Sequence, residues 1–148
     1  MSGGILGVGI DIVELQRLET IHARHGERFI RKFCREGEWD RRRSGNALVQ
    51  HLGGLFAAKE AVLKGLGTGW AQGLTCRQIE VIKSPRGEPQ VRLHGEALHR
   101  AARNGIGRIH LSITHERSYA AAVAVMERLP GIGLSIESEQ EDDPNDAE

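Results

Sequence analysis

The feature that most constrains the fold is a long helical pattern near the middle of the chain, NALVQHLGGLFAAKEAVLKGL, residues 46–66. On a helical wheel its large apolar side chains share one arc, which predicts a helix packed on a core. Asn46 is the predicted N-cap, and the glycines after Lys64 are typical of a helix end. Gly53 and Gly54 weaken the first half, which indicates a bend or a close backbone approach.

The segments on either side of this helix favour an α+β fold. Three segments before it predict a strand, a helix and a short helical turn: 5–12, 14–25 and 27–33. Five segments after it predict two strands, a helix and two strands: RQIEVIKS, EPQVRLH, HGEALHRAARNG, RIHLSITH and YAAAVAVME. Hairpins grouped in this way, with few crossover helices, predict an antiparallel sheet packed on helices.

Length and composition limit the class of protein. A chain of 148 residues fits one domain, and 39% apolar with 27% charged residues is typical of soluble globular proteins. We find no apolar run long enough for a membrane helix and expect no signal peptide. Cys34 and Cys76 form no disulfide framework, so we expect reduced thiols in a cytoplasmic protein.

Charge is distributed unevenly along the chain. Residues 137–148 hold seven acidic and no basic side chains, so residues 1–136, the predicted domain, carry 20 basic and 13 acidic ones. We expect the acidic tail to be disordered. The basic body suits phosphate-rich ligands or acidic partners, although a solvated surface without a special role gives the same pattern.

A carboxylate interrupts the first strand pattern, GVGIDIVE, residues 7–14. Asp11 lies among Val8, Ile10 and Ile12, and an unpaired buried charge is costly. Asp11 therefore needs a partner, a metal ion or a water-filled cleft, unless it lies at a strand end and caps the next helix.

The long helix carries a second carboxylate and two lysines. Glu60 lies at the edge of the apolar arc, and Lys64 follows one turn later, so an ordinary surface pair remains open. Lys59 lies near the centre of the arc, where an ammonium group must either reach solvent or meet an anion.

Two further segments have the residue types of phosphate contacts. The helix end KGLGTG places Lys64, Gly67, Thr68 and Gly69 together, although the spacing is not that of a P-loop and a plain C-cap fits as well. His115 closes the apolar strand LSITHE, either as a structural group or as a phosphate contact.

Asp11 and Glu60, without a Cys or His cluster, favour a hard cation. Mg²⁺ typically takes one or two carboxylates together with waters and substrate phosphates, whereas zinc requires more nitrogen or sulfur ligands. Lysine and glycine beside such an ion predict a phosphate-bearing substrate.

Three motifs, in this order and spacing, are similar to one enzyme family: GVGIDIVELQRLE, FAAKEAVLKGLGTG and IHLSITHERSYAAAVAV. Over residues 5–128 the chain resembles the AcpS-type 4′-phosphopantetheinyl transferases, the holo-[acyl-carrier-protein] synthase family. The resemblance implies transfer of 4′-phosphopantetheine from coenzyme A to a serine of apo-acyl carrier protein in fatty acid biosynthesis. It also implies Mg²⁺, release of adenosine 3′,5′-bisphosphate, and a homotrimer with active sites at the subunit clefts.

The resemblance also implies roles for individual residues. Asp11 and Glu60 match the metal ligands, and we expect Lys64 to stabilise the leaving phosphate and Glu60, or a water that it polarises, to accept the serine proton. Five positions match the coenzyme A site: Lys64, Gly67, Thr68, Gly69 and His115. Three basic positions are expected to dock the acidic carrier protein: Arg17, Arg24 and Arg28.

The chain departs from the family at some positions, and two other functions stay open. Leu55 stands where many relatives carry a basic residue, and residues 33–46 match the family poorly. The second possibility is a degenerate relative that binds coenzyme A or a carrier protein without catalysing transfer. The retention of Asp11, Glu60 and Lys64 argues against it. A nucleic-acid-binding module, the third possibility, lacks a matching motif and aromatic interleaving, and we expect no nucleic acid or membrane partner.

Overall fold

A computed structural model describes residues 3–67 and 73–130. The described part contains nine elements: β1 (Gly4–Glu14), α1 (Leu15–His25), α2 (Glu27–Phe33), α3 (Gly45–Gly65), β2 (Ile79–Lys83), β3 (Pro89–Leu93), α4 (Gly95–Arg103), β4 (Arg108–Glu116) and β5 (Tyr119–Arg128). Two short 3₁₀ turns lie at Glu36–Glu38 and Cys76–Gln78. The order agrees with the sequence pattern, and the predicted acidic tail lies outside the described residues.

The strands pair antiparallel, which confirms the predicted α+β class. One sheet has the order β1-β5-β4, and β2 and β3 form a separate hairpin. Within the larger sheet, Asp11 pairs with Ala122, which in turn pairs with Ile113 on β4. The two edge strands are therefore β1 and β4, on either side of β5.

Helix α3 packs on one face of this sheet and forms the centre of the core. Six of its apolar side chains are completely shielded from solvent: Leu52, Ala57, Ala58, Ala61, Val62 and Leu63. The facing residues of β5 are small or flexible, namely Ala120, Ala122, Ala124 and Met126, and all are buried. Small side chains on both elements allow the helix to lie close to the sheet.

The glycine pair in α3 marks a close approach, one of the two explanations that the sequence left open. A Cβ atom on Gly53 would meet Leu15 and Ala120, and one on Gly54 would lie 3.1 Å from Ile113. Both glycines are buried, so the first half of α3 contacts α1 and the sheet at these positions.

The prediction that Asn46 caps α3 is wrong. The helix begins at Gly45, and Ser44 occupies the N-cap position, with its carbonyl oxygen 3.4 Å from the Leu48 amide. Because the first helical hydrogen bond forms two residues earlier than expected, Asn46 lies inside the first turn with an exposed side chain.

Two expectations about the protein class can be compared with the described residues. Among them, no helix combines the length and the apolar character that a membrane crossing requires. Cys34 and Cys76 are both free and buried, in agreement with the expected thiols.

Candidate active site at the β1–α3 contact

Strand β1 separates its side chains onto two faces, and Asp11 lies on the face toward α3. Gly7, Gly9 and Asp11 alternate with Val8 and Ile10, as the two-residue period of a strand requires. Gly9 is buried and Asp11 is 15% exposed, whereas Ile10 is 67% exposed on the opposite face. The apolar neighbours of Asp11 in sequence therefore do not surround its carboxylate.

Glycine in β1 permits direct contact between the two backbones. A Cβ atom on Gly9 would overlap the carbonyl of Ala61, and one on Gly7 would overlap that of Gly65. The last turns of α3 therefore lie directly against β1, two residues before Asp11. This contact brings the carboxylate of the strand to the polar edge of the helix.

Lys64 of α3 contacts Asp11 at this edge. Its Nζ donates to Asp11 Oδ1 over 3.1 Å and to the carbonyl oxygen of Ile10 over 3.0 Å. The Lys64 side chain is 52% exposed, and ion pairs this open contribute only about 0.2–1 kcal/mol to folding. Asp11 therefore has the charged partner that its sequence context required, at a place open to solvent.

Glu60 lies one helical turn before Lys64 and is half-buried. Burial raises the pKa of Cys76 to about 12, and the carboxylates of Glu60 and Asp11 both contribute to the rise, while Lys59 opposes it. Glu60 and Lys64 are four residues apart on α3 and so share a face of the helix, where Lys64 contacts Asp11.

The chemistry of these donors fits a hard cation. Among the described residues no group of three or more His, Cys, Asp or Glu side chains comes together, so the two carboxylates are the candidate ligands. Two carboxylates with room for water and substrate oxygens suit Mg²⁺.

The glycine-rich end of α3 is only partly described. Gly67 has a φ of 96°, in the region that glycine favours, and directly follows Leu66, the C-cap residue of α3. It lies three residues after Lys64 and so remains beside the candidate site. Thr68 and Gly69, which the resemblance assigns to coenzyme A, fall outside the described residues.

His115 is not brought to Asp11 within one chain. It is exposed on β4 and pairs with Ala120, on the sheet face that also carries Asp11. Strand β5 separates β4 from β1, so the two residues are about 10 Å apart across the sheet alone. A ligand that contacts both His115 and Asp11 of the same chain would have to extend across this distance.

The predicted carrier-docking arginines are exposed near the end of β1. Arg17 and Arg24 lie on α1, which follows β1 without a loop, and their spacing of seven residues places them on one face. Arg28 lies on α2, after Gly26 ends the first helix. The start of α1 is joined to the β4–β5 turn by a hydrogen bond from the Leu15 amide to the Ser118 carbonyl.

One buried charge pair was not found from the sequence. The sequence required the Lys59 ammonium group either to reach solvent or to meet an anion. It meets the Glu38 carboxylate, with 2.8 Å between Nζ and Oε1. Glu38 belongs to the polar stretch EGEWDRRRSG, where no periodicity distinguished it from its acidic neighbours. The buried position of Lys59 at the centre of the helix arc was the available signal.

Known proteins show the same motifs and fold. Residues 7–124 match the model of the 4′-phosphopantetheinyl transferase superfamily. The holo-[acyl-carrier-protein] synthase of Halorhodospira halophila is 43% identical over 122 residues, 82% of this chain and 97% of that protein. Among solved structures, the Neisseria meningitidis synthase superposes with a TM-score of 0.73 at 31% identity, covering 83% and 98% of the two chains.

A further solved relative carries a ligand. The Helicobacter pylori holo-[acyl-carrier-protein] synthase, in complex with coenzyme A, has a TM-score of 0.68 at 30% identity, covering 80% of this chain and 98% of its own. The chain belongs to the holo-[acyl-carrier-protein] synthase family of the 4′-phosphopantetheinyl transferase superfamily.

Proposed function

We propose that this protein transfers the 4′-phosphopantetheine group of coenzyme A to a serine of an apo-acyl carrier protein, with Mg²⁺, in cytoplasmic fatty acid biosynthesis. The observation that carries the proposal is the contact of Asp11 with Lys64, one helical turn from Glu60. This contact joins charged residues of two motifs that are 53 residues apart in sequence. Residues 1–136 are the proposed catalytic domain, followed by the acidic tail.

The transfer is a displacement at phosphorus. The serine Oγ attacks the β-phosphorus of coenzyme A, the bond from that phosphorus to the bridging oxygen breaks, and adenosine 3′,5′-bisphosphate leaves with the bridging oxygen. Asp11 and Glu60 would hold Mg²⁺, which when bound neutralises charge on the diphosphate. Glu60, or a water that it polarises, accepts the serine proton, and the Lys64 ammonium faces the leaving phosphate.

The placement of Lys64 supports this role. The Lys64 ammonium contacts the Asp11 carboxylate, while half of the lysine side chain remains exposed. The diphosphate of coenzyme A carries two negative charges where Asp11 carries one, so it would be a competing anionic partner for Lys64. Gly67, Thr68 and Gly69 follow in sequence as further proposed contacts to coenzyme A.

The proposed assembly is a homotrimer with sites at the subunit clefts. The sheet face opposite α3 exposes Val8, Ile10 and Ile12 by 60%, 67% and 67%, and contiguous exposed apolar side chains are typical of interaction surfaces. Because β5 separates His115 from Asp11 within one chain, a neighbouring copy would supply His115 to the coenzyme A site.

Exposed arginines are the proposed docking surface for the carrier protein. Arg17, Arg24 and Arg28 lie on the two helices that directly follow β1. Acyl carrier proteins are acidic, so these cations would steer association and place the carrier serine near the site, with an effect that salt weakens.

The function is tested with coenzyme A labelled in its pantetheine arm and several apo-acyl carrier proteins. We expect label on the carrier serine, lost in EDTA and restored by Mg²⁺. A carrier variant with serine replaced by alanine is the control. Tight coenzyme A binding without transfer to any carrier would contradict the proposal and favour a degenerate relative.

A further inference from the structure

Lys59 is a fully buried cation to which the proposed reaction gives no role. Its side chain has no solvent exposure. Its Nζ donates to Glu38 Oε1 over 2.8 Å and to the carbonyl oxygens of Cys76 and Ile79 over 3.1 and 2.6 Å. An ammonium group has three N–H donors, so these three contacts satisfy it completely.

The partner carboxylate is also satisfied. Glu38 is 1% exposed, its Oε1 accepts the Arg35 amide at 2.7 Å, and its Oε2 accepts the Val81 amide at 3.0 Å. Buried ion pairs are tolerated under this condition, yet apolar side chains of similar volume often stabilise a fold as well or better. Stability alone therefore does not explain the pair.

The contacts of Lys59 end on one short segment, residues 76–79. The 3₁₀ turn at its start is held by other elements as well. Arg35 Nε donates to the Arg77 carbonyl over 2.7 Å, and the His94 amide donates to the Gln78 carbonyl over 2.8 Å. With Lys59 on Cys76, all three carbonyl oxygens of this turn are bound.

Segment 76–79 lies next to the candidate site. Lys59 directly precedes Glu60 on α3, and its side chain points into the core. The Cys76 thiol lies in the field of Glu60 and Asp11, whose carboxylates contribute to its raised pKa. Lys59 therefore binds segment 76–79 to α3 at the residue next to Glu60.

We propose that Lys59 is a positioning residue that fixes segment 76–79 against the α3 turn carrying Glu60 and Lys64. The kinetic effect of Lys59 rests on the proposed transfer. A displaced segment 76–79 would change how Glu60 and Lys64 contact the diphosphate of coenzyme A. Replacement of Lys59 should therefore raise KM for coenzyme A. Carrier docking at Arg17 is unaffected, because α1 lies outside this network.

The test uses the double variant Lys59→Met/Glu38→Gln, which leaves no unpaired buried charge and should fold where Lys59→Met alone does not. Leu52→Ala is the matched control, because Leu52 is equally buried on α3 but makes no hydrogen bond to segment 76–79. Assays are run well below the melting temperature of each variant.

We expect both variants to melt below wild type, and the double variant alone to raise KM for coenzyme A by about tenfold, with KM for the carrier unchanged. An unchanged KM for coenzyme A in the double variant would overturn the proposal. An equal rise in Leu52→Ala would also overturn it, because general destabilisation would then explain the loss.

A second measurement does not depend on catalysis. In a Cys34→Ser background, Cys76 is labelled with a thiol reagent at pH 8, with and without the Lys59→Met/Glu38→Gln changes. We expect very slow labelling with Lys59 present and faster labelling without it. Equal rates would contradict the proposed positioning. If the wild-type chain transfers no phosphopantetheine, the proposed function is rejected. The labelling result still tests the positioning role of Lys59, because it does not depend on catalysis.

Discussion

Lys64 of α3 donates a hydrogen bond to the Asp11 carboxylate of β1, with 3.1 Å between Nζ and Oδ1 across a sequence separation of 53 residues. The strand reaches this position because Gly7 and Gly9 let α3 lie on its backbone. The contact joins the two motifs that carry the charged residues of the site.

Replacement of Lys64 separates its catalytic role from its structural one. We expect Lys64→Met to lower kcat/KM for coenzyme A by about 10²–10³, because the leaving phosphate loses its cation. Stability should change by no more than about 1 kcal/mol, as for other exposed ion pairs. Chemical denaturation and steady-state kinetics check both, and normal kcat/KM would remove Lys64 from the mechanism.

The two carboxylates should be required for metal use and dispensable for folding. We expect Asp11→Ala and Glu60→Ala each to abolish Mg²⁺-dependent transfer while circular dichroism and melting temperature stay near those of wild type. Calorimetric titration of Mn²⁺ in the presence of coenzyme A measures the metal directly. Wild-type turnover by both variants would disprove the metal site.

Reversal of one charge on α1 should affect only the carrier protein. Arg17→Glu is expected to raise KM for the carrier by more than about tenfold at low salt, with KM for coenzyme A unchanged. The exposed Arg86, in the β2–β3 turn, offers the control Arg86→Glu. Equal effects on both substrates would reject α1 as the docking surface.

Gly9 should be essential for the approach of α3 to β1. Gly9→Ala places a Cβ atom on the Ala61 carbonyl, and we expect overpacking to cost about 1–3 kcal/mol or more and to lower transfer activity. Gly4→Ala, on the same strand with open space at its Cβ position, is the control. Similar melting temperatures for the two variants would contradict the close contact.

The exposed face of β1 should hold the subunits together. We expect Ile10→Asp to convert a trimer into monomers in light scattering, because three charges would be buried without partners. Transfer activity should fall with the trimer. A wild-type protein that is monomeric at assay concentration would reject the assembly and leave His115 without its proposed place.

Much of the fold followed from local pattern. Alternation in β1 and the apolar arc of α3 predicted both elements within a few residues, and Asp11 and Glu60 stood out as carboxylates beside apolar neighbours. The N-cap of α3 was misplaced because Ser44 and Asn46 both have capping side chains, and the hydrogen bond to the Ser44 carbonyl decides between them.

Contacts between distant segments were beyond sequence reasoning. The partner of Lys59 lies 21 residues away in a polar stretch, and only tertiary packing selects Glu38 among nearby acids. The distance of His115 from Asp11 depends on the strand order β1-β5-β4, which hairpin patterns alone do not specify.

The most direct test is anomalous diffraction from crystals of the wild-type protein grown with Mn²⁺ and coenzyme A. The account predicts one ion bound by carboxylate oxygens of both Asp11 and Glu60 and by a diphosphate oxygen, each at about 2.1 Å, as for an octahedral Mg²⁺ site. An ion held elsewhere, or the two carboxylates turned away from each other around bound coenzyme A, would contradict it.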